Sequence, residues 1–208
     1  SIGLAPDPRA IAAVAHRGPD GEGELTFETP AGLLCFGHRR LSIYDPTPAG
    51  AQPMTFGNGR YAVVFNGAIY NFLALRAELV AKGFAFHTQS DTEVLLAAYA
   101  AWGQACVARF NGMFAFALYD QRERTLLIAR DRFGEKPLHY AESGGGIAFA
   151  SEPRQLLAIA PDLARLDRQS AGDFLNFGAV DTSDQSFFAS IRRFPAAHVA
   201  DFDLSRSK

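Results

Sequence analysis

Residues 113–119 read Met-Phe-Ala-Phe-Ala-Leu-Tyr, an apolar run without a break. The residues of a strand alternate between its two faces, and here both alternating sets are apolar, so we expect this strand to be packed on both sides. The polar residues 120–124 then lead to a second β-prone run at 125–129, which predicts an antiparallel hairpin. Three glycines at 144–146 separate two further short apolar runs and predict another hairpin.

Helical patterns precede these hairpins. Asp7 and Pro8 have the residue types of an N-cap and a first helical position. Residues 71–83 carry apolar side chains at helical spacing and end at a glycine. Residues 90–93, Ser-Asp-Thr-Glu, are typical of a capping box that opens a second helix.

The order of these elements predicts the fold class. Early helices, later hairpins and strands covered on two faces, such as 33–36 and 61–65, indicate an α+β fold with antiparallel sheets between helical layers. A doubly wound parallel fold does not fit this order. Beyond residue 160 the chain is more polar, so we expect one domain over 1–160 and a connector over 161–208 toward something that follows it.

Composition excludes several classes of function. The 208 residues carry a net charge of −2, which excludes a polybasic nucleic-acid binder. No apolar run is long enough to span a membrane, and the start has no secretory pattern. The two cysteines, Cys35 and Cys106, lie far apart without metal-ligand spacing. We therefore expect a cytoplasmic protein that binds neither nucleic acid nor membrane and holds no metal.

Four polar clusters lie at the ends of the predicted elements, where loops place functional groups on a rigid scaffold. They are residues 16–21, 37–43, 65–71 and 88–93. Each has an ordinary structural interpretation: a turn for the first and third, a solvated arginine for the second, and a carboxylate that complements a helix dipole for the fourth.

The same clusters also contain groups suited to chemistry. Arg40 has the planar fork that clamps a carboxylate. The Asn66 amide and the Gly67 N–H can together face an oxyanion. If Ser90 and Glu93 form the capping box, the Asp91 carboxylate is free to meet a cation.

Taken in order, the clusters resemble the N-terminal glutamine amidotransferase domain of the asparagine synthetase family, of the class II type. The likeness covers nearly the whole chain, since residues 191–198 resemble the linker that precedes the synthetase domain of that family. The blocks that carry it are 16–21, 40–43, 65–67, 90–93, 109–115, 129–138 and 149–152.

This resemblance implies an N-terminal nucleophile (Ntn) hydrolase with a four-layer α/β/β/α sandwich. In that family the first residue is a cysteine that attacks the side-chain amide of glutamine, and its α-amino group relays the protons. The resemblance assigns the oxyanion hole to Asn66 and Gly67, the substrate α-carboxylate to Arg40 and the α-ammonium to Asp91. It extends the substrate-binding loops to Leu41, Ser42, Ile43, Tyr44 and Ala68.

The resemblance also implies the partners. Glutamine is the substrate, glutamate and ammonia are the products, and a C-terminal synthetase domain of the same polypeptide, absent from this chain, uses the ammonia for ATP-dependent amide formation. ATP and Mg²⁺ are implied only for that absent domain, and no cofactor is expected in this one, which lacks the synthetase phosphate loop. A homodimer is expected in addition.

Two departures from the family pattern leave alternatives open. Ser1 stands where the family has its cysteine, so it is a serine variant, a substitution that traps substrate, a residue of an expression tag, or the second residue of a Cys-Ser-Ile opening whose nucleophile precedes it. We favour the last alternative. Ala68 replaces the usual glutamate after Asn-Gly and removes a carboxylate near the substrate ammonium.

A degenerate amidotransferase is the alternative function, acting as a structural or amino-acid-binding module without hydrolysis. Ser1 and Ala68 favour it. Retention of Arg40, Asp91 and the Asn66-Gly67 pair favours the enzyme, because an idle pocket does not need these groups together.

Overall fold

Two antiparallel β-sheets lie face to face with helices outside them in the computed structural model, which describes residues 1–180 and 183–206. Within these residues the strands are β1 (Gly21–Thr29), β2 (Gly32–Arg40), β3 (Met54–Phe56), β4 (Tyr61–Ile69), β5 (Gly112–Asp120), β6 (Thr125–Arg130), β7 (His139–Ser143), β8 (Gly146–Ala150), β9 (Arg192–Arg193) and β10 (Val199–Asp203). The α-helices are α1 (Pro8–Ala12), α2 (Phe72–Ala81), α3 (Asp91–Trp102), α4 (Pro153–Ile159) and α5 (Arg168–Phe177). Short 3₁₀ helices cover Ala15–Arg17, Pro48–Gly50, Gly103–Arg109 and Pro161–Leu163.

One sheet has five strands in the order β10-β6-β5-β4-β3, and each neighbouring pair is antiparallel. The other consists of the hairpin β1-β2 and the strands β8-β7-β9. Ile2 joins these two parts, because it bridges Leu34 on β2 and Ile147 on β8. The first residues of the chain therefore lie inside the second sheet, with a strand on either side.

Residues 113–119 confirm the prediction of a strand packed on both sides. Phe114, Phe116 and Leu118 on β5 belong to the core between the five-stranded sheet and α2 and α3. Ala115 and Tyr119 on the opposite face belong to the core between the two sheets. A third core lies between β7, β8 and α4. The layers are therefore helix, sheet, sheet and helix, which confirms the predicted α+β sandwich.

The helix starts agree with the sequence except for the capping box. Asp7 caps α1 by accepting the N–H of Arg9, and α2 lies within residues 71–83, as predicted. Ser90 caps α3, but it accepts the N–H of Thr92. The Glu93 carboxylate does not return to Ser90, because it accepts backbone N–H groups of the preceding loop, at residues 87 and 88. The predicted capping box is therefore wrong in its second half.

The segment after residue 160 contributes an edge strand to each sheet, because β9 pairs with β7 and β10 pairs with β6. The boundary between 1–160 and 161–208 stays a prediction. Among the described residues, no helix has the length and apolar character that crossing a membrane requires.

Candidate active site

The N-terminal segment extends along β2 as a short antiparallel strand. The Ser1 amine donates to the Cys35 carbonyl at 2.9 Å, and the Cys35 N–H donates to the Ser1 carbonyl at 2.9 Å. Burial lowers the pKa of this amine from 8.0 to about 6. Ile2 is 2% exposed and packs with Leu34 and Phe36 in the core between the sheets. Because side chains alternate along a strand, Ser1 faces away from that core, on the side of its partner Cys35.

On the facing sheet, Asn66 projects from β4 toward the space between the two sheets. Side chains two residues apart on a strand point to the same face, so Asn66 lies on the face of Ala62 and Val64, which contribute to the core between the sheets. The Asn66 Nδ2 is buried and has no hydrogen-bond partner in the described part of the chain. A buried donor without an acceptor costs free energy, so this amide is available for a ligand oxygen.

Gly67 occupies a position that only glycine fits. A Cβ there would lie 2.2 Å from the Met113 carbonyl oxygen, on the neighbouring strand β5. The N–H of Phe65 donates to Gln52 Oε1 and that of Ile69 donates to the Asp91 carboxylate, so both point to the same edge of β4. Alternation turns the Gly67 N–H to this edge as well. The Asn66 amide and the Gly67 N–H therefore lie at one corner of the sheet.

Asp91 adjoins this corner from the helix layer. It is the first residue of α3, 4% exposed, and its Oδ2 accepts the Ile69 N–H at 2.9 Å. Burial raises the pKa of the Asp91 carboxyl, and the hydrogen bond from Ile69 opposes that shift. The Tyr44 ring packs on Phe72 with the ring centroids 4.9 Å apart. Burial raises the pKa of Tyr44, and the negative charge of Asp91 adds to the rise.

Arg40 is held by the loop that follows it. Its guanidinium donates to the carbonyls of Asp45 and Thr47. The Asp45 carboxylate in turn accepts the N–H of Gln89, two residues before Asp91, at 2.9 Å. Hydrogen bonds from Thr47 and Gln89 lower the pKa of Asp45. The side chain of Asp45 therefore connects the arginine loop to the start of α3.

The structure brings most of the predicted site residues together, but not into one cavity. Asn66, Gly67 and Ala68 form a continuous corner next to Asp91, and Ala68 is buried. Arg40 and Ser42 line a separate cleft of about 600 Å³. The side chains of Leu41 and Ile43 are exposed. Ser1 lines a small cavity of about 110 Å³ whose walls come from both sheets, with Phe36 on β2 and Val64 on β4 among them. Among the described residues, neither Asn66 nor Asp91 lines either of these two spaces.

Sequence reasoning missed two residues that contact the strand of the site. His38 Nε2 lies 3.2 Å from the Phe65 carbonyl oxygen, and burial lowers the pKa of His38 to about 4. Its Nδ1 is buried without a partner in the described part of the chain. Gln52 donates to the same carbonyl at 3.1 Å. Alternation along β2 could have identified His38, because it is a polar residue on the same face of the strand as the apolar Leu34 and Phe36. No sequence signal identifies Gln52, since its contact depends on where β3 ends.

The fold places this chain in the class of α+β proteins with two antiparallel sheets between helical layers. Two solved structures share the fold. The Bacillus subtilis glutamine phosphoribosylpyrophosphate amidotransferase complexed with ADP and GMP matches 72% of this chain and 39% of its own, with a TM-score of 0.59 and 22% identity. The allosteric regulatory enzyme of purine biosynthesis matches 93% of this chain and 43% of its own, with a TM-score of 0.68 and 18% identity. Identities this low show the fold alone.

Sequence comparison specifies the family. Residues 8–208 match the family described as "Glutamine amidotransferase domain", so the chain belongs to it. Asparagine synthetase [glutamine-hydrolyzing] 1 of Bacillus subtilis is 40% identical over 79% of this chain, and a putative asparagine synthetase of Mycobacterium tuberculosis is 46% identical over 73%. Only 25% and 24% of these relatives is covered, so the chain spans about a quarter of their length. The predicted resemblance is confirmed.

Proposed function

We propose that this chain is a glutaminase domain that hydrolyses the side-chain amide of glutamine to glutamate and ammonia. The observation that carries the proposal is the buried, unpartnered Nδ2 of Asn66 beside the Gly67 N–H. Two donors aimed at one point are the arrangement that a tetrahedral oxyanion requires, and such donors act most strongly where water is excluded.

The alternation of side chains along the N-terminal segment supports a nucleophile that immediately precedes Ser1. Ile2 faces the core between the sheets and Ser1 faces away from it, so a residue before Ser1 would again face the space between the sheets, the side on which Asn66 lies. In the same register its partner on β2 would be Phe36, whose side chain is buried on that face. The Ser1 side chain points away from the space between the sheets, so it is not placed to act as the nucleophile. This argument favours the Cys-Ser-Ile alignment over a serine variant.

The reaction then follows from the chemistry of a thiol with its own α-amine. The amine takes the thiol proton, and the thiolate adds to the amide carbon of glutamine. The Asn66 amide and the Gly67 N–H hold the oxyanion that forms. The amine returns the proton to the leaving nitrogen, which departs as ammonia, and water hydrolyses the thioester to glutamate. In this proposal Arg40 binds the α-carboxylate of the substrate and Asp91 binds its α-ammonium.

The rest of the predicted function also belongs to this proposal. In this proposal the ammonia passes to a C-terminal synthetase domain of the same polypeptide, which forms an amide with ATP and Mg²⁺. The relatives carry the name glutamine-hydrolysing asparagine synthetase, which supports amide formation from glutamine nitrogen. No cofactor takes part in this domain. We further propose a cytoplasmic homodimer. The similarity to asparagine synthetases over about a quarter of their length supports a separate glutaminase domain within a longer polypeptide.

Three versions of the chain test the proposal. One begins with cysteine followed by Ser1, after removal of the initiator methionine; one carries Ser1→Cys at the first position; the third is unchanged. Intact mass verifies each start, and ammonia release from glutamine is measured. We expect activity only in the first version, because only there does the thiol face Asn66.

Each other result contradicts a defined part of the proposal. Activity of the Ser1→Cys version alone would overturn the register, and activity of the unchanged chain would make Ser1 the nucleophile. If no version released ammonia while calorimetry detected glutamine binding, the amino-acid-binding module would replace the glutaminase. The absence of both binding and hydrolysis would leave a structural module.

A further inference from the structure

Gln52 takes the place of a strand on the exposed edge of β4. Strand β3 is short and pairs only with residues 61–63, so its ladder ends at Val63. At Phe65, the next residue of the same parity, the Gln52 carboxamide accepts the N–H at 2.7 Å and donates to the carbonyl at 3.1 Å. These are the two bonds that a neighbouring strand would make with that residue.

The Gln52 side chain therefore makes the last strand-like hydrogen bonds on this edge of β4, at Phe65, one residue before Asn66 and Gly67. Residues 63, 65, 67 and 69 of β4 point their N–H groups to this edge, since they share parity. Val63 pairs with Met54, Phe65 with the Gln52 carboxamide and Ile69 with Asp91. Gly67 lies between the last two. A longer β3 would pair with the Gly67 N–H and cover it. The Gln52 carboxamide instead pairs with Phe65 only, so the Gly67 N–H can point toward the site.

Gln52 is itself fixed in this position. Its Nε2 lies 3.4 Å from the Thr92 hydroxyl, on the buried first turn of α3. The backbone of Gln52 packs closely against β1, because a Cβ at Gly23 would lie 2.3 Å from the Gln52 carbonyl oxygen. The residue also lines the cleft that contains Arg40. Gln52 therefore connects β4, α3 and the cleft that contains Arg40.

We propose that Gln52 is a positioning residue that sets the Gly67 N–H, and with it the Asn66 amide, in the orientation that the oxyanion requires. The inference rests on the proposed glutaminase function and deepens it. Gln52 acts through the backbone of Phe65, to which it is hydrogen-bonded, and so on the neighbouring Gly67. Its effect is expected on the transition state, because a displacement of about 1 Å in a catalytic donor costs up to roughly 10²-fold in rate.

The test compares Gln52→Met and Gln52→Glu in the chain that carries cysteine before Ser1. Methionine keeps the size of the side chain and removes both hydrogen bonds, whereas glutamate keeps the acceptor for Phe65 N–H and loses the donor. We expect kcat to fall about 10- to 100-fold with methionine and less with glutamate, with KM for glutamine within about twofold. Affinity for the aldehyde analogue of glutamine, which forms a tetrahedral thiol adduct, should fall in parallel with kcat.

Gln121→Met is the matched control. Gln121 also donates from its carboxamide to a backbone carbonyl, that of Gly59, but at the other end of the same sheet. Its kcat, KM and aldehyde affinity should stay at the parent values. If Gln52→Met left kcat unchanged, or changed kcat, KM and thermal stability together without a selective loss of aldehyde affinity, Gln52 would have no positioning role.

An arm that needs no activity separates this inference from the proposed function. Amide hydrogen exchange by NMR should show loss of protection at Phe65 and a shifted Gly67 resonance in Gln52→Met, with both unchanged in Gln121→Met. Unchanged Phe65 and Gly67 signals in Gln52→Met would overturn the inference in any version of the chain. If Gln52→Met showed these NMR changes while the parent chain released no ammonia, the glutaminase proposal would be overturned and the role of Gln52 at the edge of β4 would be retained.

Discussion

The Asp91 carboxylate accepts the N–H of Ile69 at 2.9 Å, and this bond ties the first residue of α3 to the strand that carries Asn66. It joins the helix layer to the five-stranded sheet at the corner of the candidate site. Asp91 is buried, and a buried carboxylate needs partners. The backbone supplies one, and a substrate ammonium would supply the opposite charge.

Asp91→Asn should therefore raise KM for glutamine without a comparable loss of kcat. The asparagine oxygen can still accept the Ile69 N–H, so the corner is kept while the negative charge is lost. Because a hydrogen bond to a charged group contributes about 1.5–3 kcal/mol, KM should rise roughly 10- to 100-fold. Steady-state ammonia release from the cysteine-bearing chain measures it. The exposed carboxylate of Asp162, which accepts a bond from Ser143, provides the control Asp162→Asn. An unchanged KM would remove Asp91 from the substrate site.

Asn66→Ala should lower kcat by about 10²–10³ and leave KM near the parent value. The Nδ2 has no hydrogen-bond partner to lose among residues 1–180 and 183–206, so the substitution removes a donor that matters only when the oxyanion forms. The same steady-state assay separates the two constants. Asn176→Ala, which removes an exposed carboxamide on α5, should change neither. Equal loss of substrate affinity and turnover would show that the Asn66 amide binds the ground state and is not part of an oxyanion hole.

Much of the fold could be predicted because local patterns and tertiary packing agree. The two apolar sets of residues 113–119 follow directly from a strand between two cores, and the structure places them there. The family could likewise be predicted, because seven sequence blocks between residues 16 and 152 occur together in the order that the family has. In these segments each side chain has one environment, and its chemical type reports that environment.

The details that were missed depend on contacts between distant segments. The Ser90 to Glu93 pattern fits a capping box, but Glu93 accepts the N–H groups of residues 87 and 88 because the loop before α3 folds back over it. Gln52 has no local pattern, since its role arises only where β3 stops short of Phe65. Spacing along the chain cannot report either relationship.

Ile2→Ala should destabilise the fold by about 2–5 kcal/mol. Ile2 is 2% exposed, bridges strands on both sides of it and packs in the core between the sheets, so its removal leaves a cavity where the second sheet is joined. Urea unfolding followed by circular dichroism measures the free energy of unfolding. Val80→Ala, on an exposed face of α2, is the control and should stay within about 0.5 kcal/mol of the parent. A loss below 1 kcal/mol for Ile2→Ala would show that the N-terminal segment does not occupy this position.

His38 should make the fold less stable in mild acid. Burial lowers its pKa from 6.5 to about 4, so between these values the unfolded chain binds a proton that the folded chain does not. Stability that is present above pH 6.5 is therefore lost as the pH falls toward 4, by up to about 3 kcal/mol. Carboxylates with lowered pKa values, such as Asp131 and Glu152, add to the loss in the same direction.

The substitution His38→Gln separates the histidine from those carboxylates, because it keeps a donor for the Phe65 carbonyl and does not titrate. Unfolding free energies of the parent and of His38→Gln, measured by urea titration at pH 7.5, 6, 5 and 4.5, give the contribution of His38 as their difference. That difference should move in favour of His38→Gln as the pH falls, since the carboxylates are common to both proteins. Parallel pH curves would show that His38 takes up its proton equally well in the folded chain, and that the imidazole is not confined between the sheets.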